Sequence, residues 1–211
     1  MSVLARYACA AGAWLLCIGS AAAAGVDVQV VGAAGATAPE SVVYAEPVGR
    51  HTPAAYAKAA VIDQVNKEFV PRVTVIQTGT AVSFPNKDNI RHQVYSFSPA
   101  KTFQIKLYHG TPSQPVVFDQ AGAVTLGCNI HDKMTAYVLV VDTPYFAKTD
   151  ARGQARLEGL PPGEYVLRAW QPEAKPGQPQ VSGTALGAAQ RVRIAADAPV
   201  PAVKLELRPG A

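Results

Sequence analysis

Cys128, His131 and Met134 follow one another at three-residue spacing, Cys-x-x-His-x-x-Met. One short loop thus carries a thiol, an imidazole and a thioether. These side chains are scarce here. Beyond residue 17, Cys128 is the only cysteine, and beyond the initiator, Met134 is the only methionine. Thiolate and thioether are soft donors that suit copper, and imidazole suits several transition metals. Two imidazoles and a thiolate in a trigonal plane, with a long axial thioether, make a blue-copper electron-transfer site. Zinc fits less well, because its donors are Cys, His, Asp and Glu. A nucleophilic Cys128 is also disfavoured. Reactive thiolates sit at helix N-termini or in basic clefts, and this loop joins two strand-like runs. Taken singly, Cys128 reads as an inert buried thiol, His131 as a solvated loop residue and Met134 as core packing. The metal reading rests on the three together.

A fourth donor must come from upstream. His51, His92 and His109 are available. His92 is best placed, because it opens the strand-like run 92–97 directly after the polar loop 85–91. The expected metal set is therefore His92, Cys128, His131 and Met134. Asn86 and Asp88 lie in that polar loop and could orient His92 or the sulfur from behind, as partners of metal ligands do. His109 reads as a loop residue and His51 as surface. One such site, with no evident second one, argues for a carrier of single electrons and against an enzyme.

The elements that must position these residues are strands. Short apolar runs, many alternating with polar residues and broken by Gly, Pro, Asn and Asp, predict an all-β protein. An opening block carries runs at 26–30 and 41–45. A short uncapped stretch at 54–60 has helix-forming composition. A second block carries runs at 61–65, 72–76, 81–84, 92–97, 103–107, 116–118, 123–126 and 135–141. Cys128 therefore sits just past one strand and Met134 just before the next. A third block begins near Pro144, with runs at 154–157, 164–170, 191–194 and 203–207. Residues 172–188, rich in Pro, Gly and Gln, read as an exposed loop.

Residues 1–24 have the layout of a secretory signal peptide: Arg6, an apolar run from Ala8 to Ile18, then a small-residue ending with cleavage expected between Ala24 and Gly25. The run is short of the ~20 apolar residues that span a bilayer. Leu16 before Cys17 is too bulky for a lipid-attachment site. The expectation is export to a bacterial periplasm, with no stable membrane insertion. The chain carries a formal net charge of +4, of which Arg6 supplies one. The remainder is too weak to argue for nucleic acid or an anionic membrane. With Cys128 alone beyond the leader, no intramolecular disulfide can form.

The second block resembles a cupredoxin of the plastocyanin and amicyanin type. Phe69-Val70-Pro71 precedes a Val-rich strand, Gly79 precedes Val82-Ser83-Phe84, and Asn86 and Asp88 precede His92. The Cys128-x-x-His131-x-x-Met134 loop closes the pattern. The resemblance implies a Greek-key β-sandwich over residues 60–143, one type 1 copper held by His92, Cys128, His131 and Met134, and electron shuttling between larger redox partners. Ile130 and Asp132 flank His131 where many relatives have proline, and Gln93 stands where many have asparagine. The third block resembles a carboxypeptidase-regulatory or transthyretin-like domain, on residues 149–153 and on Leu160-Pro161-Pro162-Gly163-Glu164-Tyr165. Residues 25–50 match that domain's opening strands. The resemblance implies a second small β-sandwich built from 25–50 and 144–211, with the copper domain inserted in one of its loops. The chain as a whole is similar to two-part proteins described as methylamine-utilisation or plastocyanin-like. Two other functions compete with electron transfer: delivery or buffering of Cu(I), and a binding module with a vestigial metal site.

Overall fold

The computed structural model describes residues 24–49, 58–131, 133–175, 178–186, 189–195 and 199–207. The expected helix at 54–60 lies mostly outside these residues. Its last residue opens a strand instead, and among the described residues there is no α-helix.

Among the described residues, eighteen strands follow in chain order. The first two are β1 (Ala24–Val31) and β2 (Val42–Pro47). Ten make the central block: β3 (Ala60–Val61), β4 (Asp63–Val65), β5 (Glu68–Val70), β6 (Val73–Gln77), β7 (Thr80–Ser83), β8 (His92–Ser98), β9 (Lys101–Tyr108), β10 (Val116–Phe118), β11 (Gly122–Gly127) and β12 (Thr135–Val141). Six close the chain: β13 (Phe146–Lys148), β14 (Gln154–Leu160), β15 (Gly163–Lys175), β16 (Gln178–Leu186), β17 (Gln190–Ile194) and β18 (Val203–Glu206).

The central block forms one sandwich. Its larger sheet runs β6-β12-β11-β8-β9 and its smaller sheet β10-β7-β3. The hairpin β8–β9 passes to the opposite sheet at β10, and β11 then returns beside β8, which is a Greek-key path. The space between the sheets is filled by Ile62, Phe69, Ile76, Val82, Phe84, Val94, Phe118, Val124, Leu126, Ala136, Val138 and Val140, all buried. β4 and β5 form a separate two-stranded hairpin beside it.

The remaining strands form a second sandwich. β14-β1-β18 make one sheet, and β13-β2-β15-β16 the other, with β17 also on β15. Residues 26–47 thus pair with strands more than a hundred positions later. Val28 lies opposite both Ala155 and Val203, and Ala45 lies opposite Leu167. Val26, Val28, Val30, Val43, Leu157, Leu160, Leu167, Ile194 and Leu205 fill this second core.

A third cluster joins the two sandwiches. Val42, Tyr44 and Trp170 come from the outer face of one, and Val73, Tyr137, Leu139 and Val141 from the outer face of the other. β12 serves both cores. Ala136, Val138 and Val140 point into its own sandwich, while Tyr137, Leu139 and Val141 point to the neighbour. Side chains alternate across a strand, so a strand buried on both faces reads as an unbroken apolar run. This explains why residues 136–141 show no polar position. Lys148 adds a polar tie, donating from Nζ to the Val73 carbonyl at 3.1 Å.

The expected loop at 172–188 is different in the structure. β15 continues through Pro172 to Lys175, and β16 pairs with it antiparallel. Its partner on the other side, β2, stops at the pair Trp170–Val42. Beyond that point the ribbon has an open side, which is where a strand accepts proline without losing a ladder bond.

Candidate metal centre

Three adjacent strands carry the site. In the order β12-β11-β8, Cys128 leaves the end of β11, Met134 leads into β12, and His92 opens β8. Gly127 pairs with Thr135 across one side and with Tyr95 across the other, so the strand ends lie level. The connecting loop is closed by the Met134 N–H, which donates to the His131 carbonyl at 2.9 Å. Gly127 is required by its neighbour, because a Cβ there would lie 2.7 Å from the Tyr95 ring.

The donors meet at the mouth of the sandwich. His92 Nδ1 lies 3.9 Å from Cys128 Sγ, and the His92 and His131 rings have centroids 5.0 Å apart. One ligand atom from each of His92, Cys128 and His131 falls within 4.8 Å of the others. His92 is fully buried and Cys128 nearly so. Nδ1 of His131 is buried with no hydrogen-bond partner among the described residues. An unpaired buried imidazole nitrogen is costly, and its ring belongs to the same three-residue cluster. Met134 is buried in the same core cluster as Cys128.

Behind His92 the polar loop is tied down. Asp88 Oδ2 accepts from His92 Nε2 at 2.7 Å. The same carboxylate accepts the backbone N–H groups of Asn66 at 2.6 Å and Lys67 at 2.9 Å. Burial raises the Asp88 pKa, but these backbone bonds and the bond to His92 outweigh it and hold the carboxyl below its usual range. The hydrogen bonds of the Asn86 side chain go elsewhere than to His92. Its amide donates to the carbonyls of Ile90 and Tyr108, and its Oδ1 accepts from the Asp88 N–H. His131 is held below the ordinary imidazole range, first by burial, then by its electrostatic interactions with His92 and Lys67, with Asp88 opposing them.

Of the residues singled out from the sequence, His92, Cys128 and His131 come together. His109 is exposed on the turn after β9. His51 and Asp132 lie outside the described residues. Three contributors were not anticipated. Asn66 and Lys67 form the β4–β5 turn, both with positive φ, 54° and 62°. An Asn between two strand-like runs is a turn signal that could have placed it. Tyr108 donates to the Phe84 carbonyl at 2.6 Å and contacts the Gln64 amide. Its pKa is pushed up to about 12, chiefly by burial, with the Gln64 bond lowering it and Cys128 adding to the rise. No sequence pattern marks that contact.

No family model and no curated protein matches the chain. Solved structures do match parts of it. A copper-containing nitrite reductase from Thermus scotoductus SA-01 is 22% identical over 46% of this chain and 26% of its own, with a TM-score of 0.39. The match thus spans about a quarter of that enzyme. A purple cupredoxin from Nitrosopumilus maritimus is 22% identical over 40% of this chain and 100% of its own, with a TM-score of 0.35. An oxidized amicyanin variant is 16% identical over 46% of this chain and 99% of its own, with a TM-score of 0.36.

Proposed function

We propose that the chain is an exported single-copper protein that carries electrons one at a time between redox partners. The observation behind this reading is the convergence of His92, Cys128 and His131, ligand atoms within 4.8 Å, with a buried and unpartnered His131 Nδ1. Bound copper would supply a one-electron couple, which the thiolate, imidazole and thioether donor set suits. In this reading the chain's own residues do the rest. His92, Cys128 and His131, with Met134 beside them in the same core, would hold the ion. Adjacent strands anchor the donors, so they hold their places whichever oxidation state they serve. Burial of His92 and Cys128 excludes water from the inner side. The role is carriage rather than catalysis.

The rest of the reading follows the sequence. Residues 1–24 direct the chain to the periplasm and are removed. Residues 60–143 are a cupredoxin domain inserted into a loop of a carboxypeptidase-regulatory-like sandwich, formed by 25–50 and 144–211. The strand pairing of residues 26–47 with 154–206 supports that division. Among the described residues no helix is long and apolar enough to cross a membrane. The donor and acceptor are redox proteins of unidentified kind, and neither nucleic acid nor stable membrane insertion is part of the role.

Loading the purified protein with Cu(II) tests the reading. An intense thiolate-to-copper absorption band with a reversible couple is expected, and Cys128→Ser abolishes the band. A colourless protein that retains only Cu(I) would point to copper delivery or buffering. Absence of stoichiometric copper binding would overturn both.

A further inference from the structure

The β4–β5 hairpin stands outside both sheets of its sandwich, and its turn reaches the metal centre. Val65 pairs with Glu68, so Asn66 and Lys67 are the two central residues of a tight turn. Both adopt positive φ, as a type I′ hairpin turn requires. Their N–H groups converge on one carboxylate. Asp88 Oδ1 takes the Asn66 N–H, and Oδ2 takes both the Lys67 N–H and His92 Nε2. The Asp88 N–H is itself capped by Asn86 Oδ1 at 3.0 Å. Lys87, beside it, pairs with Asp63 on the same hairpin at 2.6 Å.

Both Asp88 oxygens receive backbone N–H groups, so the carboxylate is placed as an acceptor on each side. With Asp88 fixed in this way, His92 Nε2 must carry the proton, and Nδ1, the nitrogen 3.9 Å from Cys128 Sγ, must present its lone pair. The geometry points to Asp88 as the positioning residue of His92, and to the Asn66–Lys67 turn backbone as the clamp that holds Asp88. The inference rests on the copper reading for its consequence at the metal, though not for the tautomer. A carboxylate behind the imidazole strengthens it as a donor and so favours the more highly charged, oxidised ion. An asparagine at 88 cannot satisfy all three donors. Its amide nitrogen would face either the Asn66 N–H or the His92 and Lys67 N–H groups.

Two variants and one measurement on the unsubstituted protein test this. Long-range proton–nitrogen NMR on the metal-free protein with neutral imidazoles is expected to give the Nε2–H tautomer. Asp88→Asn is expected to yield a mixture. Chelator competition is expected to show copper affinity lowered about 10–100-fold in that variant, with the reduction potential moved upward. Asp88→Glu restores part of both. A single glycine inserted between residues 66 and 67 displaces both N–H donors. It should shift tautomer and potential in the same direction while Asp88 remains intact. An Nδ1–H tautomer in the unsubstituted protein overturns the inference. So does a folded Asp88→Asn protein with unchanged tautomer and affinity. If the protein takes up no copper, the function proposed above fails and the tautomer alone decides the clamp.

Discussion

Trp170 gives a direct test of whether the two sandwiches unfold as one body. It is 2% exposed and sits in the cluster between them. Truncating a buried Trp to Ala costs about 3–5 kcal/mol through lost burial and the cavity left behind. The ring nitrogen has no hydrogen-bond partner, so truncation sacrifices no bond. It even relieves a desolvated N–H worth about 1–3 kcal/mol. The expected cost of Trp170→Ala is therefore near the lower end, about 3 kcal/mol. That corresponds to a melting temperature lower by roughly 6–12 °C for a chain of this size. Trp170→Phe keeps most of the apolar contact and removes the orphaned donor, so it should change stability by less than about 1 kcal/mol. The assay is urea unfolding followed by far-ultraviolet circular dichroism and, in the unsubstituted protein, by fluorescence. Trp14 and Trp170 are the two tryptophans, so in protein prepared without residues 1–24 Trp170 is the only one. Its emission reports the junction alone, while dichroism reports all the strands. Coincident transitions are expected for one cooperative body. A fluorescence transition that precedes the dichroism one refutes the shared-core argument. A Trp170→Phe variant as unstable as Trp170→Ala refutes the argument about the unpaired nitrogen.

Other expectations can be checked singly. Gly153→Ala places a Cβ 2.5 Å from the Val30 carbonyl at a φ of +76°. It should cost more than about 2 kcal/mol, read as a lower urea midpoint with unchanged slope. Gly127→Ala forces the Tyr95 ring or the β11 end to move. A cost of about 1–3 kcal/mol should come with an altered copper absorption band, because Cys128 is the next residue. At high pH, Tyr108, with its pKa raised to about 12, binds its proton more tightly folded than unfolded. Stability should therefore fall as pH rises from about 10, the unfolded value, towards 12. Tyr108→Phe should remove part of that slope. Tyr44 contributes to the remainder, since its pKa is also raised, by burial and then by Glu46. At acid pH the sign reverses for Asp88. Its lowered pKa contributes stability above the unfolded carboxylate value that is lost as pH falls through the folded one. Denaturant titrations across pH should show that slope reduced in Asp88→Asn.

The donor cluster was legible because its residue types are rare and closely spaced. His92 was legible because a strand beginning after a polar loop brings its first residue to the sandwich mouth. The strand-like runs were legible where one face is wet, as in residues 154–157 of β14, and where both are dry, as in Thr135–Val141. The β4–β5 turn was harder to read. Phe69 and Val70 make a strand of only three residues with Glu68, too short for alternation to register. The partner of Asp88 could not be read at all, because backbone N–H groups leave no mark in a sequence. The ribbon beyond Trp170 was misread for a different reason. Composition rich in proline and glycine marks loops on average, yet a strand with one free side tolerates both.

β12 has a dry face on each side, and this constrains how the molecule can be divided. A fragment cut to residues 58–143 would carry Tyr137, Leu139, Val141 and Val73 as a bare apolar stripe on an otherwise finished sandwich. Such a stripe invites association. The excised piece should pair with itself or precipitate unless those positions are made polar. The outer sandwich faces the reciprocal difficulty at Val42, Tyr44 and Trp170. Each half therefore acts as the other's solubilising cover, and exchanging one of them for a foreign domain would require redesigning the seam along with it.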